Sequence, residues 1–295
     1  MKKKIWKEIK LASEFLNIPI DKVIDDFCLY YIIREIISKN QKISLKGSSI
    51  FYYALENFWR LPSDIDIDYN SDNEDLGEKR KKIRKILAFN SKVKLKKNKN
   101  SNFQYLWESQ IFEKKCNIKV ECLVCSQVIG STMEICVTSL LFKYAELTKN
   151  ITIMENFPVL KVTSNNIEQA VIDKYLSIAY LEQLNADDKI ELLFKDFFEL
   201  SKYDITQGIF DDLVQLKFRI VTKIQADRQM KEKFFGGYKE NKFWLNDNIS
   251  SILVKMEKYF SEKNVYAKED FLIVKKNIKK CEKIVKEHFE NERYV

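Results

Sequence analysis

The sequence predicts an α+β fold: an N-terminal lobe over residues 1–161 that combines a mixed sheet with helices, then a mainly helical lobe over residues 162–295. Three observations predict it. Short segments of alternating polarity, Ile43–Lys46 and Asp64–Tyr69 above all, lie between helical stretches in the first half. From about Ser164 onward the pattern becomes one of long helical periods. The chain has only 6 glycines and 3 prolines in 295 residues, so an architecture of many tight turns is excluded and helices should dominate.

In chain order, apolar residues at helical spacing predict helices over residues 7–16 and 22–38. The strand Ile43–Lys46 runs into Gly47-Ser48-Ser49 and then into a helical stretch over residues 50–58. Asp64-Ile65-Asp66-Ile67-Asp68-Tyr69, after Pro62, alternates strictly and is read as a strand. A polar loop over residues 71–77 precedes a basic helix over 78–89. Strands are expected at 93–97, 103–112 and 118–124, and helices at 167–184, 188–202, 205–229 and 265–290. Gly236-Gly237 should break the helical half with a loop.

Composition narrows the function. With 45% apolar and 32% charged residues the chain can bury a core and is not intrinsically disordered. Its longest uncharged apolar run, Phe27 to Ile33, is far short of the ~20 residues that span a bilayer, so no membrane partner is expected. Lys7, Glu8 and Lys10 fall where the apolar part of an export signal would lie, and the expectation is a cytoplasmic protein with reduced thiols. Cys122-x-x-Cys125, with Cys116 and Cys136 nearby, reads as structural thiols in preference to a zinc site, for want of a second close pair. The single histidine, His288, lies in a Lys/Glu-rich terminal helix, which leaves a Ser-His-Asp triad without support. No Walker or dinucleotide-binding glycine motif can be written.

The net charge of +8 is unevenly spread: eleven basic residues and no acidic one lie between Lys79 and Lys99, leaving the rest of the chain at −3. Such a block, with Lys81, Lys82, Arg84 and Lys85 in its helix, suits a polyanion such as RNA, since neutralising phosphates releases counterions. A solvated helix face is the alternative reading.

Residues two apart on a strand share a face, which aligns the carboxylates of Asp64, Asp66 and Asp68 and sends Ile65 and Ile67 to the core. Three aligned carboxylates repel unless they are hydrated or neutralised by a cation. Mg²⁺ takes one or two carboxylates together with substrate phosphates. Gly47-Ser48 places backbone N–H groups and a hydroxyl at a strand-to-helix turn, where phosphates bind. Glu121 offers a further carboxylate on another strand, and either it or Asp68 would complete the set. These are the parts of a metal-dependent nucleotidyl transfer site, in which a hydroxyl attacks the α-phosphorus in line.

Leu45-Lys46-Gly47-Ser48-Ser49, followed by Arg60-Leu61-Pro62-Ser63-Asp64-Ile65-Asp66-Ile67, resembles the AbiEii family of nucleotidyltransferase-like toxins, within the DNA polymerase beta-type superfamily. The family pattern is roughly Lys-Gly-Gly-Thr, then Arg-x-Ser-x-Asp-[Ile/Leu]-Asp; here Ser48 replaces the second glycine and Pro62 the usual serine. Ala170 to Ile178 and Lys195-Asp196-Phe197-Phe198-Glu199-Leu200 resemble the family's later motifs, with Glu199 for the commoner aspartate. The resemblance runs from Lys46 to Leu200.

It implies a nucleotidyltransferase-type lobe in which Asp64, Asp66 and a third carboxylate such as Glu121 hold Mg²⁺. Lys46, Gly47 and Ser48 would bind a nucleoside triphosphate, GTP, CTP or another. Lys174 would contact the nucleotide phosphates and Asp196 would activate or position, with the active site in the cleft between the lobes. It also implies transfer to RNA, especially the tRNA 3′ end, growth arrest or abortive phage defence as the outcome, and a cognate antitoxin. The alternatives are transfer to a protein or small-molecule hydroxyl, and a nucleotide- or RNA-binding module that has lost catalysis.

Overall fold

The computed structural model describes residues 2–38, 42–55, 57–70, 74–88, 93–99, 102–111, 114–123, 130–179, 187–235, 244 and 248–292, with the backbone alone over 93–117. They form two compact units, Met1–Asn166 and Ile167–Val295, the first α+β and the second helical.

The first unit opens with α1 (Lys2–Leu16) and α2 (Ile20–Ile37). Pro19, at the N-cap of α2, separates them. The apolar run from Phe27 lies within α2, which buries Val23, Ile24, Phe27, Cys28, Leu29, Tyr30, Ile32, Ile33 and Ile36. Burial on several sides explains a helix with little polar face. No helix among the described residues is long and apolar enough to cross a membrane.

Among the described residues seven strands form one mixed sheet: β1 (Ile43–Lys46), β2 (Asp64–Tyr69), β3 (Val93–Lys99), β4 (Asn102–Ile111), β5 (Lys114–Leu123), β6 (Thr132–Val137) and β7 (Leu160–Asn165), in the order β3-β4-β5-β2-β1-β7-β6. β2 lies in the interior, antiparallel to β1 and parallel to β5. β1 and β7 are parallel and the remaining pairs antiparallel. Among the described residues β3 is an edge strand.

Between strands lie α3 (Ser48–Ala54), α4 (Leu76–Leu87), α5 (Leu140–Leu147) and α6 (Ile151–Asn156). The Asp75 side chain accepts the Glu78 backbone N–H at 2.9 Å and starts α4 two residues before the expected 78. β6, β7, α5 and α6 were not legible in the sequence. On β7 the buried positions include Ser164 and Asn165, so an apolar alternation is absent even though the strand is half inside.

The second unit contains α7 (Ile167–Leu176), α8 (Asp187–Leu200), α9 (Asp204–Asp211), α10 (Leu213–Phe235), α11 (Asn248–Lys263) and α12 (Lys268–Glu292). The single helix expected over 205–229 is two. Asp212 stands between them, and its carboxylate accepts the backbone N–H groups of Val214 and Gln215 at 3.1 and 3.0 Å, capping α10. Aromatic contacts build this core: Tyr175 stacks on Phe197 at 4.4 Å, and Phe198 on Tyr266 at 4.6 Å. Gly236, Gly237 and Cys125 lie outside the described residues.

Candidate active site

The site is built where β1 turns into α3, beside β2 and β5. Gly47 follows β1 as the N-cap of α3 with φ of 67°, a conformation that favours glycine. A Cβ at this position would lie 2.5 Å from Asp66 Oδ2, so the turn needs a residue without one on steric grounds as well. Ser48 opens α3, and its hydroxyl accepts from Arg60 Nη2 at 3.2 Å. Arg60 also donates to the Leu61 carbonyl at 3.4 Å and lies over the Trp59 ring at 5.4 Å. It braces the segment entering β2 against the Gly47 turn.

On β2, Ile65 and Ile67 are buried, and the aspartates take the opposite pleat. Register places Asp66 directly between Lys46 on β1 and Glu121 on β5, and Asp64 opposite Lys119. Lys46 Nζ reaches diagonally to Asp68 Oδ1 at 2.7 Å, and Asn165 Nδ2 donates to Asp68 Oδ2 at 3.1 Å. Asp68 is thereby committed at both oxygens and only 2% exposed, and the carboxylate brought alongside Asp66 is that of Glu121. Lys119 Nζ lies 2.8 Å from Asp64 Oδ2 and 2.9 Å from Glu121 Oε2.

The face thus carries four carboxylates and two ammonium groups. Among the described residues, neither a hydrogen bond nor an ion pair reaches the Asp66 carboxyl. Burial first, then the charge of Asp64 and that of Glu121, pushes its pKa up to about 7, with Lys46 and Lys119 opposing. Lys119 is held above the usual lysine range: burial works against its charge, but hydrogen bonds to Asp64 and Glu121 outweigh it.

The donor set suits a hard divalent cation, since Asp64, Asp66 and Glu121 offer oxygen ligands on adjacent strands beside the Gly47 turn. The Lys119 ammonium is a stand-in positive charge among them. As the side chains stand, no three or more His, Cys, Asp or Glu among the described residues close around one point, and Lys119 would have to yield first.

In the helical unit, Lys174 on α7 and Asp196 on α8 pair at 3.0 Å, with side chains 14% and 2% exposed. Glu199 pairs instead with Lys202 at 3.0 Å. On α4, Ile83, Ile86 and Leu87 are buried, and Lys81, Arg84 and Lys85 share an exposed face at i, i+3 and i+4. Lys82 is tied to Glu74 at 2.9 Å.

Lys119 and Asn165 had no role assigned from sequence. Lys119 was detectable, because a lysine two residues before Glu121 on a strand must share its face. Asn165 was not, since β7 itself had no signal.

No family model matches the chain, and no curated protein does. Among the solved structures similar to it are two from Helicobacter pylori. One is described as a "putative nucleotidyltransferase", at 12% identity and a TM-score of 0.36, covering 87% of this chain and 94% of that one. The other is JHP933, at 11% identity and a TM-score of 0.33, covering 90% and 94%. At such TM-scores the likeness is loose, and the functional reading stands on the site.

Proposed function

We propose that the chain is a Mg²⁺-dependent nucleotidyltransferase that transfers a nucleotide from a nucleoside triphosphate to an RNA hydroxyl. The observation that carries this is one constellation: the Gly47 turn packed against Asp66, with Asp64 and Glu121 on the same face of β2 and β5. The AbiEii resemblance supplies the finer reading, a toxin acting on the tRNA 3′ end and countered by an antitoxin.

Asp64, Asp66 and Glu121 would hold the cation, which when bound polarises phosphoryl oxygens and offsets charge on the departing pyrophosphate. The backbone N–H groups after Gly47 and the Ser48 hydroxyl donate to phosphate oxygens, and Arg60 keeps that hydroxyl aimed. Lys46 both neutralises Asp68 and borders the turn. The acceptor oxygen bonds to the α-phosphorus as the bond to the bridging oxygen breaks, and pyrophosphate leaves. The proton of the acceptor hydroxyl passes to a carboxylate or to water. Lys174, which the resemblance assigns to the nucleotide phosphates, is oriented by Asp196. The exposed face of α4 suits the RNA backbone.

The test is incubation of the full chain with Mg²⁺, total tRNA and each of four α-labelled triphosphates, beside Asp66→Asn and Lys174→Ala. Label entering tRNA with the parent protein and falling at least ~100-fold with Asp66→Asn is the expected result, the loss typical of a removed charge-stabilising group. Label in protein would move the acceptor to a side chain. No transfer to any acceptor would leave a binding module.

A further inference from the structure

A lysine opposite an aspartate is an ordinary cross-strand pair. Lys119 does more than pair with Asp64. Its ammonium is shared between Asp64 Oδ2 at 2.8 Å and Glu121 Oε2 at 2.9 Å, the two carboxylates that flank Asp66 in the proposed cation site. The three side chains are 33%, 29% and 20% exposed, sheltered enough that their charges are only partly screened. A divalent cation bound by Asp64 and Glu121 and an ammonium within 3 Å of the same oxygens repel one another, so the two cannot share the seat.

We propose that Lys119 is the resident counter-ion of this site, displaced when a divalent cation enters, and that the nucleoside triphosphate supplies its next partner. This rests on the reading above and deepens it. A cation arriving alone must expel the ammonium and leave it facing a dication without an anion of its own. A cation arriving with a triphosphate brings phosphate oxygens, to which a lysine pairs readily as a point charge. The consequence is coupled loading: the free protein binds the cation weakly, and cation and triphosphate bind as a unit. Asp66, with which neither lysine forms a hydrogen bond or ion pair among the described residues, is the carboxylate left for the incoming ion to engage first.

Manganese is the probe, its free concentration followed by electron paramagnetic resonance with the full chain, corrected for Mn²⁺ held by nucleotide alone. Wild type, Lys119→Met and Lys119→Arg are titrated with and without an α,β-methylene triphosphate analogue that cannot transfer. Lys119→Met should bind Mn²⁺ alone on the order of tenfold tighter, the size of one partly screened ion pair. The analogue should tighten Mn²⁺ binding to wild type and Lys119→Arg, and do so much less for Lys119→Met.

Equal or weaker Mn²⁺ binding by Lys119→Met overturns the inference and leaves nucleotidyl transfer to the labelling assay. If Lys119→Met does not fold, the wild type decides: absence of any mutual tightening between Mn²⁺ and the analogue overturns it. Failure of every variant to bind Mn²⁺, with or without the analogue, removes the metal-dependent reading as well.

Discussion

Asp66 is the residue on which the site's electrostatics converge. Its carboxyl lies against Gly47, between two strands that each contribute charge, and its pKa is pushed up to about 7 from 3.8, with burial the largest cause. A carboxyl whose pKa is higher when folded stabilises the native state fully below its unfolded value, and that stability is lost as pH rises through the folded one. Without divalent cations, Asp66→Asn should therefore match wild type near pH 4 and exceed it at pH 8, by roughly 2–4 kcal/mol, one pKa unit being about 1.4 kcal/mol. Urea titrations across that range measure it, and parallel curves at every pH would show that Asp66 is not the strained group. Asp64 and Asp66 were legible in the sequence because strand alternation leaves no choice of face. Their settled partners were not, because a diagonal ion pair such as Lys46 with Asp68 depends on which strands are neighbours.

At the scale of elements, Asp26 ties three helices together. It is buried on α2, accepts from Tyr52 Oη on α3 at 2.7 Å and from the Leu140 backbone N–H at the start of α5 at 2.6 Å. Both bonds favour its charged form, yet burial outweighs them and raises its pKa to about 6. Asp26→Ala would leave the first N–H of α5 and a phenol without their acceptor, at a cost of about 2–4 kcal/mol in urea unfolding. Asp26→Asn, which can still accept from Leu140, should lose less; equal losses for the two would place the effect in packing alone. Nothing in the sequence marked this aspartate, which sits among Val23, Ile24 and Phe27 in an otherwise apolar stretch. The strands tell the same lesson. β1 and β2 were legible because isoleucine and leucine fill their inward positions, whereas β7 was not, because Ser164 and Asn165 occupy buried places where an apolar residue would give a signal. Long helical periods showed the second unit, but not the break at Asp212, where one side chain competes for two backbone N–H groups.

For the whole molecule, the distribution of charge decides what it can bind. The net charge of +8 comes from one block whose first half is α4 and whose second half includes the edge strand β3. The helical half presents Lys81, Arg84 and Lys85 on one exposed face, a spacing that suits the backbone of a polyanion. Lys82 belongs to a different arrangement: it pairs with Glu74, which also holds Lys42, so its reversal would set two carboxylates together and disturb the entry to α4. The informative variant is therefore Lys81→Glu/Arg84→Glu/Lys85→Glu with Lys82 kept. If these three residues neutralise RNA phosphates, the slope of log affinity against log salt should flatten by roughly 2, at about 0.7 per single-strand contact. The replaced groups lie away from the buried Ile83, Ile86 and Leu87, so the core is untouched, and the thermal midpoint should fall only by the small cost of acidic residues in the last turn of α4. An unchanged slope would make α4 a solvated face and leave RNA to be gripped elsewhere, whatever the labelling assay shows about the chemistry.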